Sequence, residues 1–141
     1  MRRRRLIAWI CALVWTLAFA ATHMPGNDVP DLPHVSDKVL HLAGYGGLAG
    51  MAWLTLWAYG QPMGRRILVC VMLLPLYGVF DELTQPYFHR TADVMDWMHD
   101  CIGTGIALVG CELGVLTFRK GRPRGGEPVE IGLRPRRRPL K

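Results

Sequence analysis

Acidic and imidazole side chains recur at helical spacing in three separate stretches of this chain. Asp37, His41 and Tyr45 stand at i, i+4 and i+8, one above another on a helix. Asp81 and Gln85 are four apart with Glu82 beside them, and Asp93, Asp96 and Asp100 follow at i, i+3 and i+7. Carboxylates next to an imidazole are the material of acid–base chemistry, which makes His41, Glu82 and Asp96 candidate proton-transfer groups. Carboxylates also hold divalent cations, and Asp81, Glu82, Asp96 and Asp100 form the candidate cation set. A third use is binding, with Arg90 adding a permanent positive charge to an acidic, His-containing pocket. The candidate binding residues are Asp37, His41, Tyr45, Asp81, Glu82, Gln85, Arg90, Asp93, Asp96 and Asp100. Their spacing matches no established metal motif, and no evident nucleophile accompanies them.

The elements that carry these residues read as membrane spans. Residues 6–22 are an apolar run behind four arginines, about 25 Å of helix and so at the lower limit for crossing a hydrocarbon core of about 30 Å. The same run resembles a secretory signal peptide, with Ala18, Phe19 and Ala20 in the style of a cleavage site. A retained helix is the expectation, and cleavage is its alternative. Residues 23–36, rich in proline and turn formers, read as a loop, and Ser36 is placed to cap the next helix. Residues 39–59 form a second run without formal charge. The third run, 67–80, has only 14 residues, or about 21 Å of helix, so it must continue through Asp81, Glu82 and Gln85 to span. That extension puts two carboxylates and an amide within the membrane. The fourth helix starts polar and turns apolar from Cys101 onward.

The reading is an all-α membrane protein, a bundle of four transmembrane helices at about 6–22, 37–59, 66–85 and 93–118, with a polar outer-leaflet cluster. Residues 1–118 make one membrane domain. Residues 119–141 are a basic tail that cannot bury a core and is expected to be disordered at the cytoplasmic face. Of the 17 Lys and Arg, four lie at 2–5, two at 65–66 and nine at 119–141, leaving only Lys38 and Arg90 elsewhere. With four crossings all three basic patches fall on one side, which the positive-inside rule makes the cytoplasm; both termini then lie there. This segregation is a membrane pattern, and no nucleic-acid partner is expected from the net charge of +6.

Ionisable groups within a membrane turn toward the bundle interior, so three polar faces at one depth are expected to meet. The plain alternative is a polar network that only fixes helix register. Packing, however, is served by small residues already present: Gly46 with Gly50, Gly103 with Ala107, and Gly110 with Gly114. Glu112 stands apart, with Arg65 or Arg66 as its expected partner. His23, His34 and His89 read as loop histidines, the tryptophans as lipid-facing or interfacial, and the four cysteines as small packed hydrophobes.

Three of these motifs together resemble the VanZ-like family of small membrane proteins. Asp37-Lys38 followed by His41, Asp81-Glu82 followed by Gln85, and Arg90 followed by Asp96 and by Asp100 shortly before Gly103 stand in that family's order and spacing. The usual Pro-Gly before the arginine is replaced by Phe88-His89. The resemblance covers about half the chain and implies that Asp37, His41, Asp81, Glu82, Gln85, Arg90, Asp96 and Asp100 are motif positions. It also implies a bacterial inner membrane. The family takes its name from a protein associated with teicoplanin resistance by a mechanism not established, so a link to glycopeptide resistance is carried by the name alone.

Three functions fit these residues. The first is a non-enzymatic pocket in the outer leaflet that binds a polar lipid headgroup or a lipid-linked envelope precursor. The second is an intramembrane enzyme, acid–base or metal-dependent, acting on a lipid-linked substrate. The third is an adaptor or assembly subunit working through its small-residue faces and basic tail.

Overall fold

The computed structural model describes residues 2–24 and 36–120. Expectations for the basic tail at 121–141, and for loop residues 25–35 including His34, lie outside them. Four helices follow one another: α1 (Arg2–Thr22), α2 (Asp37–Ala58), α3 (Met63–Thr84) and α4 (Val94–Lys120), with a 3-10 turn at Gln85–Phe88. No strand occurs among the described residues. Each helix is long and apolar enough to cross a membrane. Large apolar side chains such as Leu76, Ile106 and Val109 are mostly exposed around the bundle, the surface that hydrocarbon rather than water covers. The chain is a multi-pass membrane protein with an all-α fold.

The helix ends differ from expectation in ways the local chemistry explains. α1 starts at Arg2 rather than at the first apolar residue, since arginine is itself a good helix former. α3 starts at Met63 behind Pro62, whose backbone is extended (φ −66°, ψ 155°); proline fixes φ and suits the entry to a helix. Ser36 occupies the cap position of α2, but its side chain makes no cap bond. Instead its carbonyl accepts from the amides of Val39 and Leu40 at 3.0 and 3.2 Å. α2 closes with Gly60 at φ +76°, where the amide donates to the Trp57 carbonyl at 2.9 Å. Glycine bears this left-handed geometry without a Cβ clash. α3 tightens into the 3-10 turn at Pro86 and ends at His89, whose φ of 59° makes it the one non-glycine with positive φ among the described residues. This is the position at which the resemblance expected glycine.

The core lies among α2, α3 and α4, where Leu48, Ala49, Cys70, Leu74 and Leu108 are buried. The cysteines are free, and Cys70 packs as a small hydrophobe. α1 is peripheral and contains no buried residue. It leans on the bundle through Trp15 against Tyr77, with ring centroids 5.1 Å apart. α2 and α4 approach closest at Gly103, where a Cβ would overlap the Leu42 carbonyl oxygen. Gly46 faces the same contact, its hypothetical Cβ lying 3.4 Å from the Gly103 carbonyl oxygen. The expected Gly110 and Gly114 pair is not used in this way, since nothing lies within 4 Å of either.

One charged interaction locks the far end of the bundle. Glu112 is buried and receives Arg66 in a two-pronged bond, Nε to Oε1 at 2.9 Å and Nη2 to Oε2 at 2.6 Å. The Trp53 indole N–H donates to the same Oε1 at 2.7 Å, and Arg66 Nη1 donates to the Gln61 carbonyl at 2.7 Å. Arg66 is thus the partner among the two arginines considered. Trp53, expected at the lipid surface, is only 6% exposed. Its indole N–H serves a carboxylate that would otherwise be undersatisfied in a low-dielectric interior.

Candidate functional site

The opposite end gathers the C-terminal ends of α1 and α3 with the N-terminal ends of α2 and α4. Three of the four ends are polar in sequence: Asp37 and His41 open α2, Asp81 and Glu82 close α3, and Asp96 and Asp100 open α4. Asp81, Glu82, Gln85, Asp96, Asp100 and His41 are all buried there, Asp81 and Asp100 completely. His41, Glu82, Asp96 and Asp100 of the expected faces come together here, whereas Asp81 turns to α1.

Each acid is held differently. His41 Nδ1 lies 3.0 Å from Asp100 Oδ1, and its Nε2 lies 3.9 Å from Asp96 Oδ2. Lys38 reaches across from α2 to Asp93 and Asp96, at 3.3 and 3.4 Å. Glu82 Oε2 accepts the backbone N–H of Asp93 at 2.8 Å, tying α3 to the entry of α4. Arg90 pairs with the exposed Asp37 at 3.8 Å, and its Nη1 donates to the Thr22 carbonyl at 3.4 Å. Asp93, one residue ahead of α4, accepts the Met95 amide at its Oδ1 at 2.8 Å; that bond, with Lys38 beside it, holds the Asp93 carboxyl below its usual range.

Asp81 departs from the expected cation set. It turns toward α1, where Thr22 Oγ1 donates to its Oδ1 at 2.8 Å and His23 Nδ1 stands 3.6 Å away. His23 is therefore no ordinary loop histidine. It is 7% exposed, stacks on Phe19 at 4.0 Å between centroids, and shares a 2.7 Å hydrogen bond with Thr84 Oγ1. Adjacent residues on a helix point about 100° apart, so Asp81 and Glu82 serve different neighbours. Among the described residues, the side chains close enough to hold one ion are two other groups: Asp37, His41 and Asp96, and His41, Glu82 and Asp100. His89 is exposed, and His99 Nδ1 bonds the Met95 carbonyl of its own turn at 2.6 Å; neither joins the cluster.

Several buried polar atoms have no hydrogen-bond partner among the described residues: Asp81 Oδ2, Glu82 Oε1, Asp100 Oδ2, Gln85 Nε2 and the hydroxyls of Tyr45 and Tyr77. Native proteins leave few such groups, and six of those in the described residues lie at this end of the bundle. Trp97, another tryptophan expected at the lipid surface, instead donates its indole N–H to the Pro75 carbonyl at 3.1 Å. A Cβ at Gly78 would lie 3.0 Å from Trp97 and 3.1 Å from Asp100 Oδ2, so glycine at that position leaves room for the Asp100 carboxylate.

Beside the cluster, a cavity of about 320 Å³ opens between α1 and α2 with Tyr77 of α3 behind it. Asp37, His41 and Arg90 stand at its mouth, and Ala18, Gly44 and Leu48 line it further down. Its polar end and apolar depth follow the register of the helices, since α2 descends from Asp37 through His41 to Leu48.

α1 closes one side of this cavity, and its hold on the bundle is testable. The double substitution Thr22→Val with His23→Ala is expected to free the end of α1 from Asp81. Hydrogen exchange should then quicken across residues 18–22 while α2, α3 and α4 keep their protection.

The fold and the site define a multi-pass helical membrane protein with a buried His–carboxylate cluster opening on a lateral cavity. No family model matches the chain, and neither a curated protein nor a solved structure does.

Proposed function

We propose that the cluster and its cavity bind the polar headgroup of a membrane lipid or lipid-linked envelope precursor, in the outer leaflet of a bacterial inner membrane. The observation that carries this reading is the cavity between α1 and α2, polar at its mouth through Asp37, His41 and Arg90 and apolar at Leu48. An amphiphile has the same two-part form, and sites of this kind combine an apolar lining with a few placed polar groups. Arg90 suits a phosphate and Asp37 an amine, and each is already partly exposed at 3.8 Å from the other. The orientation in this reading rests on the charge count, which sets both termini in the cytoplasm. The likeness of the motifs to the VanZ-like family supports an envelope setting, and any part in glycopeptide resistance belongs to the same proposal.

One observation favours a second reading. The His41–Asp100 pair, at 3.0 Å, has the form of a base oriented by a carboxylate, and His41 also lines the cavity. An intramembrane enzyme would use that pair for proton transfer, with Glu82 or Asp96 as the complementary acid.

Native mass spectrometry of the protein released from membranes tests the binding reading. The wild type is expected to retain a lipid adduct selective for one headgroup class, and His41→Ala to lose it with helicity unchanged. An identical adduct spectrum from both proteins contradicts the proposal. A wild-type protein that converts its adduct on incubation, where His41→Ala does not, supports the enzyme.

A further inference from the structure

We infer that His41, Glu82 and Asp100 form a binding site for one divalent transition-metal ion of the Mn²⁺ or Zn²⁺ class, buried where α2, α3 and α4 meet.

Among the described residues the permanent cations at this end of the bundle are already committed: Lys38 to Asp93 and Asp96, Arg90 to Asp37. Neither reaches Glu82 or Asp100. Those two carboxylates are 7% and 0% exposed, and each keeps one oxygen, Glu82 Oε1 and Asp100 Oδ2, without a hydrogen-bond donor. Each carboxylate has one partner, His41 for Asp100 at 3.0 Å and the Asp93 amide for Glu82 at 2.8 Å, and an ionised group whose other oxygen is unpartnered in a dry interior remains costly. Two such groups side by side, from different helices, are relieved by taking up a proton or by a shared positive charge. A divalent cation balances both.

Geometry agrees with the charge count. One donor atom from each of His41, Glu82 and Asp100 lies within 4.8 Å of the other two. His41 Nδ1 and Asp100 Oδ1 are 3.0 Å apart, which is about the separation of two neighbouring ligands at right angles and about 2.1 Å from one ion. Gly78 supplies the space, since a Cβ there would crowd Asp100 Oδ2 at 3.1 Å. One imidazole with two carboxylates is a mixed donor set, and such sets favour Mn²⁺, Fe²⁺ or Zn²⁺ over Ca²⁺, which takes oxygen alone. The second group, Asp37, His41 and Asp96, is the weaker candidate because Arg90 and Lys38 already neutralise its acids. This inference stands independently of lipid binding, although His41 belongs to both sites.

The test uses the full chain in detergent, stripped with chelator and titrated with Mn²⁺ while the free-ion electron paramagnetic resonance signal is followed. Saturable binding of one Mn²⁺ per chain is expected, displaced by Zn²⁺, with spin-echo modulation from one imidazole nitrogen. Glu82→Gln and Asp100→Asn should each weaken binding about tenfold or more, while His99→Ala, at an imidazole that bonds only its own helical turn, leaves it unchanged. Circular dichroism of each variant separates lost binding from lost structure, and the nitrogen modulation in the wild type needs no variant at all. Three results overturn the inference: no saturable binding by the wild type, bound Mn²⁺ without imidazole nitrogen, or binding that Asp37→Asn abolishes while Glu82→Gln and Asp100→Asn do not.

Discussion

Glu112→Ala is expected to lower the unfolding free energy of the bundle by about 3–5 kcal/mol, the usual cost of removing one partner from a buried ion pair. Arg66 and Glu112 are 7% and 6% exposed, and the bond between them is two-pronged at 2.9 and 2.6 Å. Truncating the glutamate strands the guanidinium and removes the acceptor of the Trp53 indole. The Arg66 charge also packs over the Trp53 ring, 5.2 Å from its centroid, so the ring loses orientation as well. Arg66→Met should cost a similar amount by leaving Glu112 unpaired. The double variant Arg66→Met with Glu112→Met should recover much of the loss, because no isolated charge then remains. Helicity followed through a denaturing-detergent titration measures all three. Additive losses in the double variant would show that the pair is not coupled as the contacts indicate.

Gly103→Val is expected to separate α2 from α4, with a loss of about 1–3 kcal/mol or more, because overpacking forces backbone to move. At this position a Cβ meets the Leu42 carbonyl oxygen and would lie 2.9 Å from its carbon. Backbone cannot rotate away as a side chain can. The displacement reaches the site, since Asp100 stands about one turn from Gly103 on α4 and His41 directly precedes Leu42 on α2. Gly110→Ala makes the control on the same helix. Nothing lies within 4 Å of a Cβ there, so it should stabilise the helix by up to about 1 kcal/mol through propensity alone. Opposite signs at Gly103 and Gly110, in the same titration, would separate close packing from helix propensity.

Much of this architecture was legible in the chain because helical periodicity assigns each residue a face. Asp37, His41 and Tyr45, like Asp96 and Asp100, had to share a side of their helices whatever the tertiary structure. Intramembrane burial cost then turned those sides inward. Periodicity fixes neither the rotation of one helix against another nor their relative depth. Asp81 and Glu82 were therefore read as one unit, whereas Asp81 serves Thr22 and His23 and Glu82 serves Asp93. His23 was missed because it follows the last turn of α1, and only packing against Phe19 and Thr84 brings it inside. A signal did exist: a histidine one residue beyond an apolar span, at the depth of the other acids. Trp53 and Trp97 were misplaced for a related reason, since an indole is large enough to face lipid and polar enough to satisfy a buried acceptor. Gly78 carried no spacing signal, being defined only by what α2 and α4 bring against it.

The most direct test is an experimental density map of the protein in a lipid nanodisc, resolved well enough to place side chains. His41 is expected beside Asp100 within the bundle, with a headgroup seated between Asp37 and Arg90 and its tail along Leu48. Carboxylates spread into open solvent, or a cavity closed by α1 packed flat against α2, would contradict it.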